Sequence, residues 1–521
     1  MAERQPNILL IQADQMAAPA LPFLDPHGIS PVKTPTLSRL AEQGVTFEAA
    51  YCNSPLCAPS RFSMMAGQLA SSIAAYDNAA EFPSKIPTFA HHLRLAGYRT
   101  GLVGKMHFVG ADQLHGFEMR PTTDIYPADF GWTPDWSRPV ARQDYFHTTA
   151  SITEAGPAAR TMQLDYDEEV AFQAGRSLYD LAREAEARPW FLTVSFTHPH
   201  DPYNITPEHW ARYEGVEIPA PRVPAIPFAE QDPHSARLMR CYQLVDGEGR
   251  ETALAEADVV RARRAYYGSI SYIDDKVAAL LETLHAIGAA KDTVVIFTGD
   301  HGDMLGERGL WYKMSFFEWS ARVPLIVHAP GRFAPGRVAK PVSLLDLFPT
   351  LLDLAGDDPG RGAPAPVEPL PGTSLRPLLE GDATAGPAEV LAEYLGEGAA
   401  GPLVMIRRGH FKYLTGTDSP PQLFDLAADP DELSNLAADP AHAEIATAFA
   451  AEVAGRWDLE ALRAAVIRDQ QRRLLVQSAR MTGRIAAWDH QPSKDASQSY
   501  VRNTREILED LERTTRLAAQ E

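Results

Sequence analysis

Cysteine is scarce in this chain: 521 residues hold only Cys52, Cys57 and Cys241. A low, odd count excludes a disulfide framework. Long apolar runs are missing too. The first, residues 8–11, is four residues long, and none approaches the roughly 18 needed to span a bilayer. That first run passes straight into Gln12-Ala13-Asp14-Gln15, without the longer apolar stretch and cleavage site of a secretory signal. We therefore expect a soluble cytoplasmic protein, or an exported one that has lost its signal, with no membrane partner. Basic charge is in deficit, with 48 Lys and Arg against 68 Asp and Glu and a net charge of −20. So negative a surface repels phosphate backbones and excludes nucleic acid as a partner, but not a small cation. Repeats and low-complexity tracts are absent. The 45% apolar and 22% charged fractions are ordinary globular values, which exclude a disordered, collagen-like or coiled-coil chain.

What is present is an alternation of short apolar β-branched runs with longer helical patterns. Strands are expected over 7–12, 98–103, 190–196, 293–298 and 323–328. Helices are expected over 34–43, 88–96, 167–185, 258–287 and 344–354. Thr34 reads as an N-cap before Pro35 at the first helical position. Continuous apolar strands between helices imply an α/β fold, a large mixed, mostly parallel sheet sandwiched by helices. In such sheets ligands gather beyond the carboxyl ends of the strands. Asp14, Lys105 with His107, His198 with His200, and Asp300 with His301 each follow a strand. Four polar clusters thus fall at one edge.

Five prolines between Pro219 and Pro233 mark an extended surface loop, and the Pro/Gly-rich stretch from Pro359 to Gly372 marks the best domain boundary. We assign residues 1–372 to the catalytic α/β domain. Residues 373–486 form a smaller α+β domain, with antiparallel strands over 390–394, 403–408 and 411–415 followed by helices. Residues 487–521 form an extended C-terminal tail.

Cys57-Ala58-Pro59-Ser60-Arg61, followed by Met65-Ala66-Gly67, sets an arginine one helical turn after a cysteine. Pro59 suits the first turn of a helix, whose N-terminus attracts anions. Asp14 and Asp300-His301 supply hard oxygen and imidazole donors for a divalent cation. Each feature alone has a plainer reading: a buried cysteine before a helix, a strand-end aspartate as a cap, a lysine as a solvated charge. Together with Gly104-Lys105-Met106-His107, His198-Pro199-His200-Asp201-Pro202, Gly299-Asp300-His301-Gly302 and Lys313, they resemble the type I sulfatases of the alkaline phosphatase superfamily.

That resemblance implies the fold of those enzymes and a formylglycine made from Cys57 by a maturing enzyme. The hydrate of formylglycine has two hydroxyls, one to attack sulfur and one to lose a proton and expel the sulfated intermediate. By resemblance Arg61, Lys105 and Lys313 hold the sulfate oxygens. His107 assists breakdown of the covalent intermediate, and His200, with Lys313, protonates the departing oxygen. The implied metal set is Asp14, Gln15, Cys57, Asp300 and His301, for Ca²⁺ first and Mn²⁺ or Mg²⁺ as alternatives. Two departures stand out: Gln15 where many members have a second aspartate, and His301 where many have asparagine. Both lie nearer the phosphonate monoester hydrolases.

Longer stretches resemble the choline-sulfatase branch. They include Tyr51-Cys-Asn-Ser-Pro-Leu-Cys57, Ala75-Tyr-Asp-Asn-Ala-Ala-Glu-Phe82, the stretches from Lys105 to Gly116, from Thr123 to Trp136 and from Met304 to Lys313, and the tail at Trp488 and Asp495. The branch implies a choline sulfate substrate, a place in choline metabolism toward glycine betaine, and a homo-oligomer (dimer or tetramer) through the tail. A quaternary ammonium needs aromatic faces and a nearby carboxylate. Six aromatic residues, Tyr126, Phe130, Trp132, Trp136, Tyr145 and Phe146, crowd into 21 residues, with Asp124, Asp129, Asp135 and Asp144 among them. An aromatic satellite core accounts for most of these rings. By resemblance the substrate-binding residues are Trp132 as cage wall, His147, His198 and an acid, Glu393, with Glu397 four residues on. Two other readings stay open: the same chemistry on an aryl sulfate or phosphonate monoester, and a non-catalytic binding protein if Cys57 is never converted.

Overall fold

A computed structural model describes residues 5–138, 147–183, 188–252, 254–356 and 362–484. Its main sheet comprises β1 (Asn7–Asp14), β2 (Val45–Tyr51), β3 (Arg99–Gly104), β4 (Trp190–Pro199), β5 (Thr293–Gly299), β6 (Arg322–His328), β7 (Gly336–Val338) and β8 (Val342–Ser343). Their order is β8-β2-β6-β5-β1-β4-β3, with β7 also on β2. β1 pairs in parallel with β4 (Leu10 opposite Thr193) and with β5 (Leu10 opposite Ile296), and β3 is parallel to β4. β6 runs antiparallel to both β2 and β5. The sheet is mixed and mostly parallel, as expected. Ile8, Leu9, Leu10 and Ile11 are all buried, each contributing about 1.5–3 kcal/mol by leaving water. Their run is continuous because both faces of the sheet are covered.

The helices that frame this sheet are α1 (Pro35–Gln43), α2 (Cys57–Ala66), α3 (Phe89–Leu95), α4 (Met162–Arg183), α5 (Glu256–Ala286) and α6 (Leu347–Ala355). α4 and α5 pack on β4 and on each other, while α3 packs on β3 and α6. Thr34 occupies the N-cap of α1, but its side chain makes no cap hydrogen bond. The buried carboxylate of Asp274 on α5 accepts from Thr36 N and Leu37 N instead, at 3.0 and 2.7 Å. A long-range partner has displaced the local one.

Beyond the sheet, β9 (Val390–Tyr394), β10 (Leu403–Arg408), β11 (Phe411–Gly416) and β12 (Ser419–Asp425) form a separate antiparallel sheet in that order, followed by α7 (Ala443–Arg456) and α8 (Leu459–Arg480). The strand beyond the three expected, β12, carries Pro420 and Pro421 at its start, and prolines suit an edge strand. β2 was likewise unforeseen: Val45-Thr-Phe-Glu-Ala-Ala-Tyr51 neither alternates nor runs apolar, and a register shift interrupts its pairing with β6. Residues 357–361, which include the start of the expected domain boundary, lie outside the described residues, as do Asp144, Tyr145, Phe146, Trp488 and the rest of the 487–521 tail. Among the described residues no helix is long and apolar enough to cross a membrane.

Candidate active site

Because β1, β3, β4 and β5 are parallel, their carboxyl ends share one edge. Asp14 ends β1, Lys105 follows β3, His200 follows β4 and Asp300 follows β5. Gly104 makes the turn to Lys105 possible. Its φ is +102°, and a Cβ there would stand 2.0 Å from the Ser195 carbonyl, which Lys105 N needs as acceptor at 3.0 Å.

Cys57 opens α2, every residue of which is buried. Asn78 Oδ1 accepts the Ala58 N–H at 3.0 Å, and Ser60 Oγ donates to the Asp300 carbonyl at 2.6 Å. These bonds fix the helix start against β5. Cys57 Sγ lies 3.3 Å from His301 Nε2, 3.7 Å from Lys105 Nζ and 3.9 Å from Asp14 Oδ1. Asp14, Cys57, Asp300 and His301 bring ligand atoms within 4.8 Å of one another. His301 Nδ1 sits 3.0 Å from the Gly302 carbonyl. That contact makes Nδ1 the donor and leaves Nε2 a lone pair toward the cluster. Burial lowers the pKa of His301, which keeps it neutral, as a ligand must be. Two carboxylates, a neutral imidazole and the residue-57 side chain therefore fit a divalent cation.

Arg61 does a different job from the one expected. Its Nε donates to Asp300 Oδ2 at 2.8 Å and its Nη2 to Asp14 Oδ2 at 3.0 Å. Its Nη1 serves Gln12 Oε1, the Lys105 carbonyl and Ser195 Oγ. With its donors engaged, it clamps two carboxylates rather than holding sulfate oxygens. Lys105 pairs with Asp14 and lies 4.1 Å over the Tyr126 ring. Burial would raise the pKa of Asp14, but Lys105 foremost, then His200 and Arg61, hold it well below the carboxylate range.

Gln15 contributes its backbone N–H to Asp300 Oδ1 at 2.9 Å. Its amide oxygen accepts from Lys313 Nζ at 2.6 Å, and its Nε2 donates to Asp303 and Asp201 at 2.7 and 3.3 Å. Gln15 thus joins Lys313 to the site through its side-chain amide. Lys313 Nζ is also 2.6 Å from His200 Nε2. Burial and then Lys313 press the pKa of His200 well below the imidazole range. Burial opposes charge on Lys313, but Cys57, Asp201, Asp14 and Asp300 raise its pKa. Both shifts favour the proton on the lysine. His107 follows Gly104 with a left-handed backbone, fixed by Asp124 Oδ2 accepting its N–H at 2.7 Å. Neither of its buried ring nitrogens has a partner among the described residues.

A cavity of about 220 Å³ opens on Cys57 and is walled by Asn78, Tyr126, Trp132, His147, His200, Asp201, Lys313 and Glu397. Tyr126 and Trp132 lie 5.2 Å apart by ring centroid, with Trp132 edge-on to His107 at 5.8 Å. His147 stacks on Tyr312 at 4.5 Å and holds Asp201 Oδ2 at 2.8 Å. Two expected substrate residues sit elsewhere. His198 turns to Asp167 on α4, at 2.7 Å, and lies edge-on to Tyr272 on α5. Glu393 accepts Ser71 N and Oγ at 2.8 and 2.7 Å and Trp457 Nε1 at 2.6 Å, which consumes its carboxylate. Glu397 lines the cavity in its stead. It is buried, and its Oε2 has no partner among the described residues. Burial, then Asp77, push its pKa up to about 8.

Several participants were not singled out from sequence. Asp201 lies inside the His-Pro-His-Asp-Pro motif, Asp303 two residues past His301, and Asn78 and Tyr126 inside stretches already quoted. Each stood beside a named residue, but only the fold reveals which way it faces.

The Sulfatase family model matches residues 6–357. The choline sulfatase enzyme C-terminal model matches 464–517, and the N-sulphoglucosamine sulphohydrolase C-terminal model matches 306–456. The choline-sulfatase of Rhizobium meliloti (strain 1021) is 50% identical over 96% of this chain and 97% of its own. Arylsulfatase K of Bos taurus is 29% identical over 82% and 78%. Among solved structures, the phosphonate monoester hydrolase of Agrobacterium radiobacter superposes with a TM-score of 0.67 at 27% identity, covering 88% of this chain and 96% of that one. With a cysteine-headed helix, a four-ligand cluster and these relatives in agreement, the chain belongs to the sulfatase family.

Proposed function

We propose that this sulfatase hydrolyses choline O-sulfate to choline and inorganic sulfate, with formylglycine derived from Cys57 as nucleophile. One observation carries the choice of ester. The cavity that opens on Cys57 is lined by a buried carboxylate, Glu397, one oxygen of which has no partner among the described residues, and by the rings of Trp132 and Tyr126. A buried, unpaired acid among aromatic faces is a site for a cation without hydrogen-bond donors. At about 220 Å³, the cavity is smaller than the roughly 300–1,000 Å³ of drug-sized pockets and takes a small ester. The similarity to a choline-sulfatase over nearly the whole chain supports the same reading.

The chain's own groups divide the work. Formylglycine, once hydrated, supplies one hydroxyl for sulfur and a second whose deprotonation releases sulfate. Asp14, Asp300, His301 and residue 57 would hold a divalent cation, which would lower the pKa of a hydroxyl there. We propose Ca²⁺ for the oxygen donors, with Mn²⁺ or Mg²⁺ as competitors, the histidine being what admits Mn²⁺. Arg61 pairs with both carboxylates and holds them in register. Lys105 and Lys313 bring positive charge to the sulfate oxygens and offset what accumulates there in the transition state. His107, with two unengaged nitrogens, takes the proton of the second hydroxyl. The Lys313–His200 pair delivers a proton to the departing alkoxide. The scarcity of cysteine suits a reducing compartment, and we place the enzyme in the cytoplasm as a homo-oligomer.

The test compares choline sulfate with its neutral isostere, carbon replacing nitrogen, on enzyme whose Cys57 peptide shows the mass of the aldehyde. Strong preference for the cation is expected. Equal turnover of both refutes the choline assignment and leaves an aryl sulfate or phosphonate monoester, for which the 27% identical phosphonate monoester hydrolase argues. An unconverted Cys57 in active enzyme refutes the nucleophile.

A further inference from the structure

Helix α8 lies outside the catalytic sheet, but one of its turns is bonded to several walls of the cavity. Arg473 donates through Nη1 and Nη2 to the two oxygens of Asp77 at 2.7 and 2.6 Å, and through Nη1 to Thr133 Oγ1 at 3.1 Å. Asp77 precedes the cavity residue Asn78, and Thr133 follows Trp132. Gln470 Oε1 accepts the Trp136 backbone N–H at 2.8 Å, and the Trp136 indole donates to the Gly396 carbonyl at 3.0 Å, next to Glu397. Asp469 receives the Arg473 Nε–H at 2.8 Å, so the guanidinium is braced from its own helix as well. Asp77, Gln470 and Arg473 are all buried. Removing one member of such a pair leaves the other as an uncompensated charge, so the tie is stiff. Both α8 residues fall inside the segment that matches the choline sulfatase C-terminal model.

We propose that Arg473 and Gln470 are positioning residues for the cationic end of the substrate. Through them α8 binds the segments carrying Asn78, Trp132 and Glu397 into one wall, and so sets selectivity for the quaternary ammonium without entering the sulfur chemistry. Arg473 also pairs with both oxygens of Asp77, whereas Glu397 keeps an oxygen with no partner among the described residues. This inference rests on the choline reading above.

The experiment measures kcat and KM on choline sulfate, its neutral isostere and an aryl sulfate. It uses the full chain with Cys57 converted, as wild type, Arg473→Met, Arg473→Lys and Gln470→Leu, each with a thermal melt. A misplacement of about 1 Å can cost about a hundredfold. Arg473→Met should therefore raise KM for choline sulfate by about tenfold or more, and lower kcat/KM on the aryl sulfate by a clearly smaller factor. The preference for cation over isostere should collapse in Arg473→Met, fall in Gln470→Leu and partly survive in Arg473→Lys. Equal losses on all three esters, or an unchanged preference, overturn the proposal. If Arg473→Met does not fold, the Lys and Leu variants decide by the same criteria. Wild type without preference for the cation refutes the choline reading and this role with it. Wild type with a preference that survives in the variants refutes this role alone.

Discussion

Replacing Glu397 with glutamine removes one charge from the cavity and keeps the side chain's shape. With the quaternary nitrogen about 5 Å from the carboxylate and an effective dielectric of about 20, the attraction lost is about 332/(20 × 5), roughly 3.3 kcal/mol. Not all of it is felt at neutral pH. Burial, with Asp77 adding repulsion, pushes the Glu397 carboxyl up to about 8, so the free enzyme is mostly protonated there below that pH. The charged fraction is about one in a hundred near pH 6, about one in ten near pH 7 and nearly complete above about pH 9. Because the raised pKa favours the neutral form at low pH, the cation's advantage grows as pH rises and levels off beyond about 8. Glu397→Gln should thus lower kcat/KM for choline sulfate about threefold near pH 6, about 25-fold near pH 7 and more than about a hundredfold above about pH 9. Initial rates across that range, on choline sulfate and on the neutral isostere, make the assay. The isostere should show no such divergence between the two enzymes. Glu393→Gln is the control. It should lower thermal stability through Ser71 and Trp457 and leave the ratio of the two substrates alone. A wild-type to Glu397→Gln ratio that stays flat with pH would refute the assignment of Glu397 as the acid that meets the cation.

Further tests address the sulfur end. Cys57→Ser has one hydroxyl and no second to deprotonate, so it should stop after a single turnover with a sulfated serine detectable by mass; sustained turnover sinks the hydrate mechanism. His200→Ala should damage choline sulfate turnover at least about tenfold more than turnover of an activated aryl sulfate, because an alkoxide needs the proton that a phenolate does not; equal losses contradict the acid role of the Lys313–His200 pair. Chelation should lower the thermal midpoint, since the proposed cation would bind the folded Asp14, Asp300 and His301 cluster and not the unfolded chain. Restoring Ca²⁺ about a thousandfold above its Kd should return about 4 kcal/mol, and Asp300→Asn should abolish the shift.

Much of this enzyme was legible from the order of its residues alone. Continuous apolar runs such as residues 8–11 mark strands buried on both faces, and helices between them dictate parallel pairing. Asp14, Lys105, His107, His200 and Asp300 then had to meet at one edge, because parallel strands end on the same side. Cys57 and Arg61 were legible because one helical turn separates them. The tertiary structure decided what depends on direction rather than order. Arg61 reached two carboxylates, Asp14 and Asp300, because α2 aims it inward between β1 and β5. His198 and His200 are two apart, yet one turns to Asp167 and the other to Lys313. Glu393 and Glu397 are four residues apart, but Ser71 and Trp457 from distant segments consume the first carboxylate, while the second keeps an oxygen with no partner among the described residues. Long-range partners made each of these choices, as Asp274 did when it capped α1 in place of Thr34. Spacing along a chain determines which edge a side chain reaches, while the partners packed around it determine whether its charge is spent or remains for a substrate.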